Sequence, residues 1–158
     1  MEGTPRPIVV GVDGSRNAQQ AADWAARQAR GRARPLLLVH CLTWPFENRA
    51  AALAPGAHSG AEELLRTMAD ELGSILPRDR IDWRVEQGDP VGALCAESAT
   101  AEVLVVGARG TGGVAGLLIG STATAVAAAA RCPVVVLPDD STVLASARHS
   151  VTRKPSRR

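Results

Sequence analysis

An apolar run that closes on glycine leads into a glycine-rich stretch, and that stretch leads into an alanine-rich one. Val103 to Val106 reads as a buried strand, Gly107 to Ser121 as a loop, and Thr122 to Arg131 as a helix. A strand that feeds a helix through such a loop belongs to a layered α/β domain. The loop can gather several backbone N–H groups at one point, and the helix N-terminus adds a partial positive charge there. Glycines 107, 110 and 120, with Ser121 after the last, give the spacing G-x2-G-x9-G-[ST]. This is a candidate anion site, and the usual anion is phosphate. A glycine-rich connection without a ligand is the alternative.

Two better-known phosphate motifs are excluded. Walker A needs a lysine directly after its last glycine, and the one lysine of this chain, Lys154, lies near the C-terminus. The dinucleotide pattern G-x-G-x-x-G fails because Gly110-Thr-Gly112 is followed by Ala115 at the third place. Any phosphate would therefore rest on backbone amides and hydroxyls.

The rest of the chain repeats the strand–helix alternation. Pro7 to Asp13 is an unbroken β-branched run that suits a strand covered on both faces. Ser15 or Asn17 can cap the following helix, which reaches about Arg30 and shows a small-residue face of Ala18, Ala21, Ala22, Ala25 and Ala29. Pro35 to Leu42 is a second strand. Residues 43–60 read as a long irregular loop, expected to act as a mobile lid. Ala61 to Ile75 is a helix with Leu64, Leu65, Met68 and Leu72 inward. Ile81 to Glu86 alternates apolar and polar residues, which predicts a half-exposed edge strand. Asp89 opens a short helix to about Ala99, with Pro90 in its first turn. Glu102 to Val106 is the fourth strand and Pro133 to Leu137 the fifth. Strands that alternate with helices imply a parallel sheet with helices on both faces. There is no internal repeat.

Composition narrows the function. Of 158 residues 46% are hydrophobic but only 3% aromatic, so the core must be built from Ala, Val and Leu. Net charge is +2, yet residues 139–158 hold five basic and two acidic groups, leaving 13 basic and 14 acidic groups elsewhere. The body is near neutral, which argues against a nucleic-acid face, and residues 139–158 read as a basic, disordered tail. Cys41, Cys95 and Cys132 lack metal-ligand spacing and fit buried thiols in a reducing cytosol. No signal peptide or membrane-spanning run is evident, so a cytoplasmic location is expected. His40, His58 and His149 lie apart in the sequence, and no catalytic triad stands out.

The glycine spacing resembles the nucleotide-binding motif of the universal stress protein family, in its ATP-binding, single-domain, actinobacterial-like branch. The resemblance extends over residues 7–138 and makes residues 1–138 one domain. Ile8-Val-Val-Gly-Val-Asp13-Gly-Ser15 is similar to the family's first strand, and Asp23-Trp24-Ala25-Ala26 to its first helix. Leu36 to His40, Gly88-Asp89-Pro90 and Cys132 to Leu137 match later segments in order. The resemblance implies an open five-stranded sheet of order 3-2-1-4-5, Rossmann-like and of HUP type. Ligands of such sheets bind where the strand order reverses, between strands one and four. Asp13 and Gly107 end those two strands.

The implied ligand is ATP, with AMP or ADP tolerated. Val12, Asp13, Cys41, Val106, Gly107, Arg109, Gly110, Gly120, Ser121 and Thr122 are the expected nucleotide-binding residues. Amides near Gly120, Ser121 and Thr122, with the Ser121 hydroxyl, would hold phosphates. Asp13 would accept from ribose hydroxyls or bind a magnesium ion bridging to phosphate, with a turn-capping role as the alternative. The main chain near Cys41 would meet the adenine, and Arg109 would lie over the phosphates. Many nucleotide-binding relatives carry a second hydroxyl where this chain has Ala123. The output would be a nucleotide-dependent change of conformation or protein partner, and the subunits would pair into a homodimer through strand 133–137. A slow ATPase and a nucleotide-free dimeric interaction protein are the alternatives.

Overall fold

The computed structural model describes residues 3–43, 56–111, 116 and 118–140. The expected lid falls largely on residues 44–55 and the expected tail on 141–158, both outside the described residues. In chain order the elements are β1 (Ile8–Gly11), α1 (Arg16–Arg32), β2 (Leu36–Leu42), α2 (Ala57–Leu72) and a 3-10 turn (Arg78–Arg80). Next come β3 (Ile81–Gln87), α3 (Pro90–Ser98), β4 (Val103–Gly107), α4 (Ser121–Ala129) and β5 (Val134–Leu137). All strand pairs are parallel, in the order β3-β2-β1-β4-β5.

The unbroken apolar runs are explained by burial on both sheet faces. Ile8 and Val10 of β1, with Val103 and Val105 of β4, face a core completed by α1 and α2. Val9, Leu104 and Val106 point the other way, to Leu94 of α3 and to Ala123 and Val126 of α4. The alanines of α1 let it lie close to the sheet: Ala21, Ala22, Ala25, Ala26 and Ala29 are fully buried. β3 is an edge strand with Asp82 and Arg84 exposed and Trp83 and Val85 half-buried.

Several boundaries differ from the sequence expectation. β1 stops at Gly11 rather than Asp13. The Val12 amide still donates to the Val39 carbonyl (2.9 Å), but the Asp13 carboxylate then accepts from the Ser15 amide (2.9 Å), and Gly14 turns the chain at φ +83°. A side chain that bonds its own backbone two residues on replaces a ladder bond with a turn. α2 begins at Ala57, four residues early, because Gly56 stands at its N-cap and Gly60 is tolerated inside the helix. Its C-terminal end comes at Leu72, where Gly73 takes the C-cap. α4 begins at Ser121, with Gly120 as N-cap.

Candidate functional site at the switch point

β2 outruns β1. The last β1–β2 pair is Gly11 with Val39, while the β2–β3 ladder continues through Cys41–Glu86 to Leu42–Gln87. Backbone groups alternate sides along a strand. The Val39 carbonyl faces β1 and the Leu42 carbonyl faces the β3 side, where it accepts from Gly88 (3.0 Å). The main-chain groups of Cys41 therefore face the β1 side, beyond the point where β1 has ended. A cavity of about 350 Å³ opens there, and all ten residues expected at the nucleotide site line it. That volume lies at the lower end of the range for small-molecule sites.

The glycine loop is held to the turn after β1 and to the start of α1 by side-chain to main-chain bonds. The Thr111 amide donates to Asp13 Oδ2 (3.0 Å), across 98 residues of sequence. A Cβ on Gly110 would stand 2.6 Å from that same oxygen. The Arg109 amide donates to Asn17 Oδ1 (2.9 Å), and a Cβ on Gly107 would meet that oxygen at 2.8 Å. Both glycines thus leave room for the protein's own polar side chains. Gly120 is less constrained, since its Cβ would lie 3.4 Å from the Ala108 carbonyl. Asp13 is both the turn cap of its alternative reading and a residue of the cavity wall.

Opposite this tie, α4 presents its N-terminus to the cavity. Gly120 offers no capping side chain, and the amides of Ser121, Thr122 and Ala123 have no acceptor among the described residues. Such a helix end carries orphan donors and about half a unit of positive charge. The Thr124 hydroxyl turns back onto the Gly120 carbonyl (2.9 Å), and Ala123 is buried without a hydroxyl to offer. Among the described residues, the start of this helix offers three amides and the hydroxyls of Ser121 and Thr122.

The other end of the cavity is apolar. Val39, Leu94 and Val106 line it, together with Pro90 from the start of α3. Asp89 caps that helix, accepting from Val91 (3.2 Å) and Gly92 (2.9 Å). Burial pushes the Cys41 thiol up to about 11, and the charges of Glu86 and Asp89 add to the shift. His40 is a satisfied structural histidine: its Nδ1 donates to the Val12 carbonyl (2.8 Å).

Sequence reasoning missed Asn17, Pro90 and Leu94. The sequence offers Asn17 only as a cap, a role taken by Ser15, whose hydroxyl accepts from the Ala18 amide (3.2 Å). Its position at the head of the Asn17-Ala21-Ala25 stripe was the available signal, because that stripe is buried.

The fold and its crevice define a doubly wound α/β domain with one cleft at the reversal of strand order. A model of the universal stress protein family matches residues 4–138, and the chain belongs to that family. Universal stress protein Rv3134c of Mycobacterium tuberculosis is 38% identical over 136 residues, covering 84% of this chain and 50% of that protein. Universal stress protein Rv2028c of the same species is 35% identical over 135 residues, covering 84% of this chain and 48% of that protein. The chain thus spans about half the length of these curated relatives. Among solved structures, a universal stress protein in complex with cAMP is 26% identical with a TM-score of 0.65, covering 85% of this chain and 98% of its own. UspA from Lactobacillus plantarum is 20% identical and shares the fold at a TM-score of 0.73, over 86% of this chain and 99% of its own.

Proposed function

We propose that the cavity binds an adenine nucleotide, ATP foremost and ADP or AMP as well. The observation that carries this reading is the uncapped N-terminus of α4, which lines the same cavity as the open main-chain edge of β2 at Cys41. Orphan helix amides favour an anion, and an open strand edge offers a donor and an acceptor to a base. The apolar wall of Val39, Leu94 and Val106 suits a flat ring between them. A related chain at 26% identity was solved with cAMP, an adenine nucleotide, which supports the ligand class.

Each residue has a task. The amides of Ser121, Thr122 and Ala123 and the Ser121 hydroxyl hold phosphate oxygens. Arg109 supplies positive charge beside them. Asp13, with lone pairs remaining on both oxygens, accepts from ribose hydroxyls. Alternatively, a magnesium ion would be held by the Asp13 carboxylate and the nucleotide's own phosphates, a donor set that suits this ion. The protein then serves as a stress-response or signalling module in the cytoplasm, and its output is a nucleotide-dependent change of conformation or partner.

Titration calorimetry tests the assignment. Asp13→Ala removes the ribose or metal contact, and Gly120→Val puts a branched side chain at the phosphate end. Both are expected to weaken ATP binding with an unchanged circular dichroism spectrum. Unaltered affinity in both folded variants would sink the site.

A further inference from the structure

Asn17 is one of two buried polar residues among the described core, 5% exposed in the first turn of α1. Every hydrogen-bonding group of its side chain is engaged. Oδ1 accepts from the Arg109 amide (2.9 Å), at the start of the glycine loop. Nδ2 donates to the Leu137 carbonyl (3.3 Å), the last residue of β5, and to Gln20 Oε1 (3.4 Å). That Leu137 carbonyl also accepts from the Ala108 amide (2.7 Å). Gln20 in turn donates to the Asp140 carboxylate. Gly107, directly beneath, has no room for a side chain because Asn17 occupies the space.

We infer that Asn17 is a positioning residue: it fixes the loop through the Arg109 amide and references that amide to the end of β5. This rests on the nucleotide reading of the cavity. Only a short amide side chain supplies one acceptor and two donors in a plane. Aspartate would keep the acceptor but lose both donors, and serine is too short to span the gap. With Asn17 in place, Gly107, Ala108 and Arg109 hold one conformation at the phosphate end of the cavity. Without it, the Arg109 amide loses the Asn17 acceptor, and the bonds of Ala108 to Leu137 and of Thr111 to Asp13 remain on either side of it. The base end, built from β2 and α3, does not touch Asn17 and is left as it was.

The test separates the two ends of the ligand. ATP and adenosine, which lacks phosphates, are titrated into the full chain and into Asn17→Ala, adenosine by competition. Loss of one positioned contact region should weaken ATP roughly tenfold, the equivalent of about 1.4 kcal/mol, and change adenosine by less than about twofold. A purely structural role would weaken both alike. Amide exchange by NMR on the nucleotide-free protein is the second arm: the Arg109 and Ala108 amides should exchange faster in the variant while β1 and β2 stay protected. Asn17→Leu, which keeps the bulk, replaces Asn17→Ala if the latter does not fold. Parallel loss of ATP and adenosine affinity, or unchanged Arg109 exchange, overturns the inference. A parent chain that binds neither ligand refutes the nucleotide reading, and the exchange arm then decides the role of Asn17 on its own.

Discussion

Asp13 shows how one carboxylate serves two parts of the chain. One oxygen closes the turn at Ser15 and the other holds the Thr111 amide. Its value as an anchor was hidden in the sequence, because no local pattern announces an acceptor for an amide 98 residues away. Asn17 was hidden for the same reason, and also because asparagine near a helix start reads as a cap. What was legible were residues at strand ends and at the helix start, since those places follow from the alternation itself. Cys41 carries a prediction at this scale. Its folded-state value of about 11 lies above the ordinary thiol value of 9.0. The folded chain keeps a proton that the unfolded chain gives up, so this contribution to stability is full below about 9 and is lost as pH rises through about 11. Alkylation of Cys41 by iodoacetamide, followed by peptide mass spectrometry, should keep accelerating past pH 10. A plateau near pH 9 would contradict the buried setting described for this thiol.

Among the elements, α3 links the cap to the cavity. Asp89 satisfies two orphan amides of a helix only nine residues long, and that helix brings Pro90 and Leu94 to the cavity wall. Asp89→Ala should cost about 1 kcal/mol of stability. In a chain of this length the melting temperature should fall by roughly 2–4 °C. Urea denaturation with an unchanged slope checks the first figure, and a variant as stable as the parent would show that the cap is dispensable. Element type and order were readable because the strands are short apolar runs and the helices carry small-residue or amphipathic stripes. Boundaries were harder. β1 lost its last two expected residues to an Asx turn, and α2 gained a turn because Gly60, taken as irregular, sits inside the helix. Tertiary context decides a lone glycine or aspartate of this kind, and the sequence shows only that it is there.

At the scale of the whole molecule the two sheet edges are unlike. β3 carries Asp82, Arg84 and Glu86, charges that discourage pairing with another strand. β5 is Val-Val-Val-Leu, half-exposed throughout and free of charge. We propose that two chains pair antiparallel through β5 about a two-fold axis, which satisfies both edges at once. Val135→Lys would set a charge at the centre of that strand. Sedimentation at tens of micromolar protein should find a dimer for the parent and a monomer for the variant. A monomeric parent ends the proposal, and a dimeric variant moves the interface elsewhere.

The bond between Asp13 and Thr111 also has a consequence in time. Its partners come from opposite ends of the domain, so the chain between them must be gathered before the bond can form. Loop closure on that scale is entropically costly, and non-local parallel pairing is slow. β1, α1 and β2 can associate early, whereas the cavity exists only once β4 has docked against β1 and the glycine loop has come across to Asp13. A ligand that needs the loop therefore cannot guide the first stages of folding. It can only favour the molecule in which β4 and the glycine loop have already docked, so a ligand of this cleft would add stability to the assembled domain and none to its early intermediates.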